Sequence, residues 1–156
     1  KLDRLVRFIE LGDDHVVGSK EPRFNAVSFR DFLEGLGCLY TTSQKAAVTE
    51  PYVKISDIEF LKRAFRFDPV KEMWLAPLSL KSIGKTLHWV SKGSEEGEYR
   101  QAVMTAIYEL SLHESAIYDR YVPEIIKAWD LKYSEPLQYL PYAEAQSAAL
   151  RIPLVF

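Results

Sequence analysis

An α+β fold, with paired strands first and helices gathered after them, is what this 156-residue sequence predicts. Three observations carry that expectation. Two apolar runs flank Gly12-Asp13-Asp14 in a way that suits a hairpin. A second strand-like stretch begins at Asp57. From Ser79 onward the apolar residues recur at helical spacing.

The elements follow in order. Residues 4–11 place Leu5, Ile9 and Leu11 on one face of a strand and Val6 and Phe8 on the other, so the strand is expected inside a sheet. Residues 15–19 read as the return strand, and Gly12 suits a primed turn, which needs a positive φ. Residues 25–36 read as a helix. Asn25 caps it, Phe29, Phe32, Leu33 and Leu36 form its apolar stripe, and Gly37 stops it. Residues 38–40 are expected as a short strand, followed by a polar loop over 41–47. Residues 57–67 alternate, with Ile58, Phe60 and Lys62 on one side and Glu59, Leu61 and Arg63 on the other, and pair with 74–79 in a second hairpin. Leu80, Ile83, Leu87 and Val90 then mark a helix capped by Ser79. After a loop at 91–98, Tyr99, Val103, Ala106, Ile107 and Leu110 mark another. A third starts near Ser115 and is broken or kinked at Pro123, with Ile125, Ile126 and Trp129 beyond. Residues 131–156 hold three prolines and little periodicity, so an irregular tail is expected.

Composition narrows the function classes. Apolar residues at 47% and charged residues at 27% are ordinary for a globular chain long enough to bury a core. A net charge of −2 does not announce a nucleic-acid binder. The lone Cys38 excludes an internal disulfide framework and suits a reducing compartment. His15, His88 and His113 are too scattered for a zinc site, and no run approaches membrane-spanning length. Charge is uneven, however. Residues 45–92 carry nine Lys/Arg against five Asp/Glu, and residues 93–130 carry three against eight. That split marks either one surface for an anionic ligand or simple fluctuation. The chain starts at Lys1 and runs almost at once into a strand, which suggests a piece of something larger.

Each candidate site has two readings. Asp13 and Asp14 are either a solvated turn or carboxylates held rigidly for a divalent metal such as Mg²⁺. Lys45 is either a surface charge or a proton donor to a departing phosphate oxygen. Lys62 and Arg63 either guard a sheet edge or hold a phosphodiester backbone.

The order of these motifs is more specific than any one of them. "GDD", "GCLYTTSQK", "FLKRAF" and "APLSLKSIGKTLHWV" together strongly resemble the RNA-dependent RNA polymerases of picorna-like positive-strand RNA viruses over residues 4–130. In that family, motif C is the Gly-Asp-Asp hairpin of the palm. Motif D, a helix leading to a glycine and a Thr-x-x-x-Lys loop, is matched by Gly37, Thr41 and Lys45. Motif E, a Phe-Leu-Lys-Arg hairpin, is matched by Phe60 to Arg63. Leu11 and His15 depart from the Tyr and Asn that commonly flank the Gly-Asp-Asp. The motif A aspartate, the motif B residues and the fingers precede motif C in the family and are not in this chain.

The resemblance implies a palm part at 1–78, thumb helices at 79–130 and a C-terminal tail at 131–156. It implies RNA-templated nucleotidyl transfer to a primer 3′-hydroxyl by the parent polymerase, the segment alone being inactive. Asp13 and Asp14 would be catalytic metal ligands for Mg²⁺, with Mn²⁺ as the alternative, and Lys45 would protonate pyrophosphate. Lys62 and Arg63 would hold the primer strand. The implied partners are template and primer RNA, nucleoside triphosphates, the rest of the polymerase and other viral replication proteins. The implied setting is the host cytoplasm, in membrane-associated replication complexes. One rival is a non-catalytic RNA-binding or interaction domain that keeps the palm-like fold and uses the acids only as a turn. A reverse transcriptase also has paired palm aspartates, but is not expected to carry the Phe-Leu-Lys-Arg series at this distance.

Overall fold

The computed structural model describes residues 5–88 and 96–151. By contacts the chain divides after Phe65 into two compact units.

The N-terminal unit is built on a hairpin. Strand β1 (Val6–Leu11) pairs antiparallel with β2 (Asp14–Ser19), with Leu11 opposite Asp14 and Val6 opposite Ser19. That register leaves Gly12 and Asp13 as a two-residue turn. Gly12 takes φ +64° and Asp13 does not share the positive φ, the pattern of a type II′ turn. Helix α1 (Ala26–Gly35) follows. Asn25 Oδ1 accepts from the Val27 and Ser28 N–H groups at 3.1 and 3.0 Å, and Ser28 Oγ accepts from the Asn25 N–H at 3.0 Å. This reciprocal cap satisfies donors that a helix start leaves open. The helix stops where expected. Gly37 turns to φ +81°, its N–H donates to Glu34 O, and the Cys38 N–H donates to Leu33 O, both at 3.0 Å.

Three expectations for this unit need correction. β1 is not inside a sheet: among the described residues it pairs with β2 alone. Phe8 packs edge-on against Phe24 and Phe29, while Ile9 and Leu11 on the opposite face stay 60% and 57% exposed. Residues 38–40 form no strand, because the Cys38 N–H is taken by the helix end and the pairing reduces to one bridge, Thr41 to Ala47. Residues 57–67 are not one strand. After a 3₁₀ turn at Ile55–Asp57, β3 (Glu59–Phe60) reverses into β4 (Arg63–Ala64) through Leu61 and Lys62, at φ +51° and +65°. Two consecutive positive φ values make a type I′ turn, whose twist matches paired strands. The alternation therefore runs across a reversal, and Lys62 sits in the turn, not in a strand.

The C-terminal unit opens with a second hairpin, β5 (Arg66–Asp68) paired with β6 (Met73–Leu75), shorter and earlier than the expected pairing with 74–79. Its loop is tied by Asp68, whose Oδ1 accepts from the Val70 and Lys71 N–H groups at 2.9 and 3.0 Å. Those backbone donors, with Arg66 and Lys71 nearby, hold the Asp68 carboxyl below its usual range. Four helices follow: α2 (Leu80–His88), α3 (Glu96–Ser111), α4 (Ser115–Lys132) and α5 (Tyr142–Ala149). Ser79 Oγ accepts from the Ser82 N–H at 3.3 Å, as a cap should. Val90 and residues 91–95 of the expected loop lie outside the described residues, and Glu96–Glu98 are already helical. Pro123 does not break α4. Pro123 and Asp119, whose carbonyl it leaves without an N–H, are both on the exposed side.

Ile83, Ala106, Ile107, Leu110, Tyr118, Val122, Trp129, Leu137 and Ala145 bury one another in the core of this unit. The last two lie in the stretch expected to be an irregular tail. Instead, α5 buries Ala145 and Gln146 and packs against α3. The α3–α4 corner turns sharply and exposes carbonyls that need donors. Arg66 supplies Nε to Leu112 O at 2.7 Å and Nη2 to His113 O at 2.8 Å. Tyr142 Oη donates to His113 O at 2.8 Å, and Gln146 Nε2 to Ser111 O at 3.0 Å.

Candidate active site

The type II′ turn decides where the acids go. Asp13 is the second turn residue and Asp14 the first residue of β2, so two consecutive carboxylates stand exposed at a tip whose backbone is fixed by the ladder behind it. Among the described residues neither carboxylate has a hydrogen-bond or ion-pair partner. No group of three or more His, Cys, Asp or Glu side chains that could hold a metal occurs among the described residues. Two free, hard oxygen donors fit part of a Mg²⁺ shell, which keeps waters and substrate oxygens for the rest. They do not make a complete protein cage.

Strand alternation then separates the neighbours. Asp14 shares the Ile9 and Leu11 face, and His15 shares the Phe8 and Val17 face that meets α1. His15 lies edge-on to Phe29, with ring centroids 5.8 Å apart. It also stacks on Tyr40 at 5.5 Å with an interplanar angle of 7°, and His15 Nε2 lies 2.9 Å from Tyr40 Oη. Phe29 closes the triangle on Tyr40 at 5.4 Å. Burial raises the Tyr40 hydroxyl above its ordinary pKa, which keeps it protonated.

Tyr40 is the stem of the loop that carries Lys45. The Thr41–Ala47 bridge closes that loop. Inside it, the Thr42 N–H donates to Ala46 O and the Lys45 N–H to Thr42 O, both at 2.9 Å, and Thr42 Oγ1 accepts from the Ala46 N–H at 3.2 Å. Lys45 itself takes φ +61° with its side chain exposed. A lysine gains nothing locally from that conformation, which costs of order 1 kcal/mol or more. The surrounding hydrogen bonds hold it there. A groove of about 450 Å³ opens beside the stem, lined by His15, Asn25, Tyr40, Thr42, Tyr52 and Glu59 among others. Asp13, Asp14 and Lys45 are not on its wall.

The basic pair is placed differently. Lys62 caps the β3–β4 turn and its Nζ lies 3.2 Å from Glu59 Oε1, with 70% of the lysine side chain exposed. Arg63 stands opposite Phe60 in the ladder. β3 runs beside β2, so this hairpin belongs to the same unit as the acids and Lys45. Reading the motifs singly misses His15 and Tyr40 as a pair. The available signal is parity: a histidine two residues from Val17 lies on the helix-facing side, where an aromatic partner is expected.

A family model for viral RNA-dependent RNA polymerase matches residues 1–129. The chain is 31% identical over 145 residues to the replicase polyprotein of Acute bee paralysis virus (strain Rothamsted), covering 88% of this chain and 8% of that polyprotein. It is 29% identical over 133 residues to the genome polyprotein of Rice tungro spherical virus (strain Vt6), covering 81% of this chain and 4% of that one. The chain thus spans less than a tenth of these relatives. Among solved structures, the Sicinivirus 3Dpol RNA dependent RNA polymerase superposes with a TM-score of 0.70 at 20% identity, over 94% of this chain and 30% of that one. With Gly-Asp-Asp at a hairpin tip, Tyr40 at the stem of the lysine loop stacked on His15 of the same hairpin, and a family match over most of its length, this chain belongs to the viral RNA-dependent RNA polymerases, in their picorna-like branch.

Proposed function

We propose that this segment supplies part of the active centre for RNA-templated nucleotidyl transfer in viral genome replication, as a portion of a longer polymerase. The observation that supports it is the unpartnered Asp13–Asp14 pair at a fixed hairpin tip, with the Lys45 loop packed onto the same hairpin through Tyr40. In the reaction a primer 3′-hydroxyl attacks the α-phosphorus of a nucleoside triphosphate, the α–β phosphoanhydride bond breaks, and pyrophosphate leaves.

Asp13 is the principal carboxylate and Asp14 the lesser one, held toward Mg²⁺ or Mn²⁺ together with an aspartate from the rest of the polymerase. When bound, the metal lowers the cost of forming the attacking alkoxide and of charge on the leaving oxygen. The Lys45 ammonium gives a proton to the departing pyrophosphate. Lys62 and Arg63 hold the primer strand, and residues 79–130 pack along the product duplex through its backbone without reading sequence. The exposed Ile9 and Leu11 face is the surface on which the remaining palm would pack. The setting is the host cytoplasm, in membrane-associated replication complexes.

The test is nucleotide addition by the intact polymerase. Asp13→Asn abolishes addition while primer–template binding persists. Retained synthesis in Asp13→Asn would return the acids to a solvated turn and favour a non-catalytic RNA-binding role.

A further inference from the structure

The groups that carry the proposed chemistry are exposed. Asp13 and Asp14 stand at a tip, and Lys45 lies in a short loop closed by a single bridge. What joins the two segments is aromatic. His15 follows Asp14 directly, and Tyr40 precedes the bridge residue Thr41. Their rings lie parallel at 7°, their polar atoms are 2.9 Å apart, and Phe29 of α1 meets both edge-on. From its hydroxyl, Tyr40 reaches back across 25 residues of sequence to the strand that carries the acids.

We infer that Tyr40, held by His15, is a positioning residue: it fixes the 41–47 loop, and with it Lys45, against the Gly-Asp-Asp hairpin. This rests on the polymerase reading above. It also gives His15, a departure from the family pattern, a definite task.

Three features argue for positioning over simple packing. The contact joins the two segments that carry the candidate chemistry, with the ordering element α1 as its back wall. The hydrogen bonds of residues 42–46 are internal to the loop, between Thr42 and Ala46 and between Lys45 and Thr42, and just beyond the bridge the Arg30 guanidinium donates to Val48 O. Lys45 sits at φ +61°, a conformation that relaxes if the loop is released. Tyr40 holds the entry side of the loop through one hydrogen bond, one stack and its edge contact with Phe29, while Arg30, donating to Val48 O, holds the exit side. Neither Asp nor Lys needs to touch Tyr40 for this to work.

The experiment uses the intact polymerase and the conservative variant Tyr40→Phe, which keeps the ring and loses the hydroxyl. Hydrogen exchange read by mass spectrometry is the activity-independent measurement. The Lys45 and Ala46 amides are expected to exchange about three- to tenfold faster, the range that one net hydrogen bond supplies, while the α1 amides keep their rates. Single-turnover nucleotide addition is expected to slow by a similar factor with the nucleotide concentration for half-maximal rate unchanged. In a Lys45→Leu background the Tyr40→Phe change is expected to add no further loss. Unchanged exchange over 41–47 overturns the proposal whatever the activity does. A loss that is fully additive with Lys45→Leu also overturns it, because Tyr40 would then act on the enzyme by another route. Faster exchange with an unaltered rate of addition supports the tether and removes Lys45 from the chemistry, so that the reaction assignment fails separately.

Discussion

His15 Nε2 and Tyr40 Oη meet at 2.9 Å beneath the turn that carries Asp13 and Asp14, with the two rings stacked parallel. A stacked pair with an edge-on third ring contributes of order 1 kcal/mol beyond its buried area. A double-mutant cycle of His15→Ala and Tyr40→Ala, followed by denaturant unfolding, is therefore expected to show a coupling of about 1 kcal/mol. Additive losses would mean that each ring packs on Phe29 independently.

The helical unit carries its own titration. Burial, then Tyr139, Tyr108 and Asp119, pushes the Tyr118 hydroxyl up to about 12. Its O–H donates to Leu140 O at 2.6 Å, so the native state strongly prefers the protonated phenol. A folded-state value above the unfolded value of about 10 contributes stability that is complete below pH 10. That contribution is lost as pH rises from about 10 toward 12. Tyr118→Phe is expected to cost about 1 kcal/mol at neutral pH by orphaning Leu140 O. It also flattens the alkaline loss, and unfolding midpoints between pH 8 and 11, compared with the parent, check both parts.

How much of this was legible beforehand depends on where local rules act alone. The Gly12 turn, the Asn25 cap and the Gly37 stop are decided within a few residues by backbone sterics and orphan N–H groups, and each stands where the sequence puts it. The β3–β4 reversal was hidden because Leu61 and Lys62 carry none of the glycine or asparagine that normally signals a type I′ turn. α5 was hidden for a different reason. Pro136 and Pro141 break the periodicity before it, and its buried face is only Ala145 and Gln146, too small to register as an apolar stripe. Asp13, Asp14 and Lys45 were visible as residues, but the His15–Tyr40 tie links positions 25 apart and is a product of tertiary packing.

Arg66 is expected to be a strong stability determinant of the helical unit. Its guanidinium donates to both Leu112 O and His113 O. Tyr142 also serves His113 O, so removing Arg66 orphans chiefly the Leu112 carbonyl. Arg66→Met keeps the apolar stem and is expected to cost about 1–3 kcal/mol, the penalty of leaving a part-buried acceptor unsatisfied. Arg66→Lys recovers only part of this, because an ammonium lacks the planar fork that serves two carbonyls. Chemical denaturation of the three proteins measures the order.

Lys62 allows structure and function to be pulled apart. Its φ of +65° costs about 1–2 kcal/mol for a residue with a Cβ. Its contact with Glu59 at 3.2 Å is an exposed ion pair, which is worth at most about 1 kcal/mol. The strain is the larger quantity. Lys62→Gly removes both, and the entropy that glycine loses on folding takes back about 0.5–1 kcal/mol. The fold is thus expected to be unchanged or slightly more stable despite the lost ion pair. If Lys62 holds a primer phosphate, the same substitution in the intact polymerase weakens primer–template retention and lowers the slope of log affinity against log salt by about one. Arg63→Gln, in the adjacent strand, is expected to lower that slope in the same way. Thermal unfolding alongside a salt titration of binding reads both effects. A Lys62→Gly polymerase with unaltered salt slope would leave the lysine as a charge guarding a short hairpin, and a clear loss of stability would show that Glu59 outweighs the turn strain.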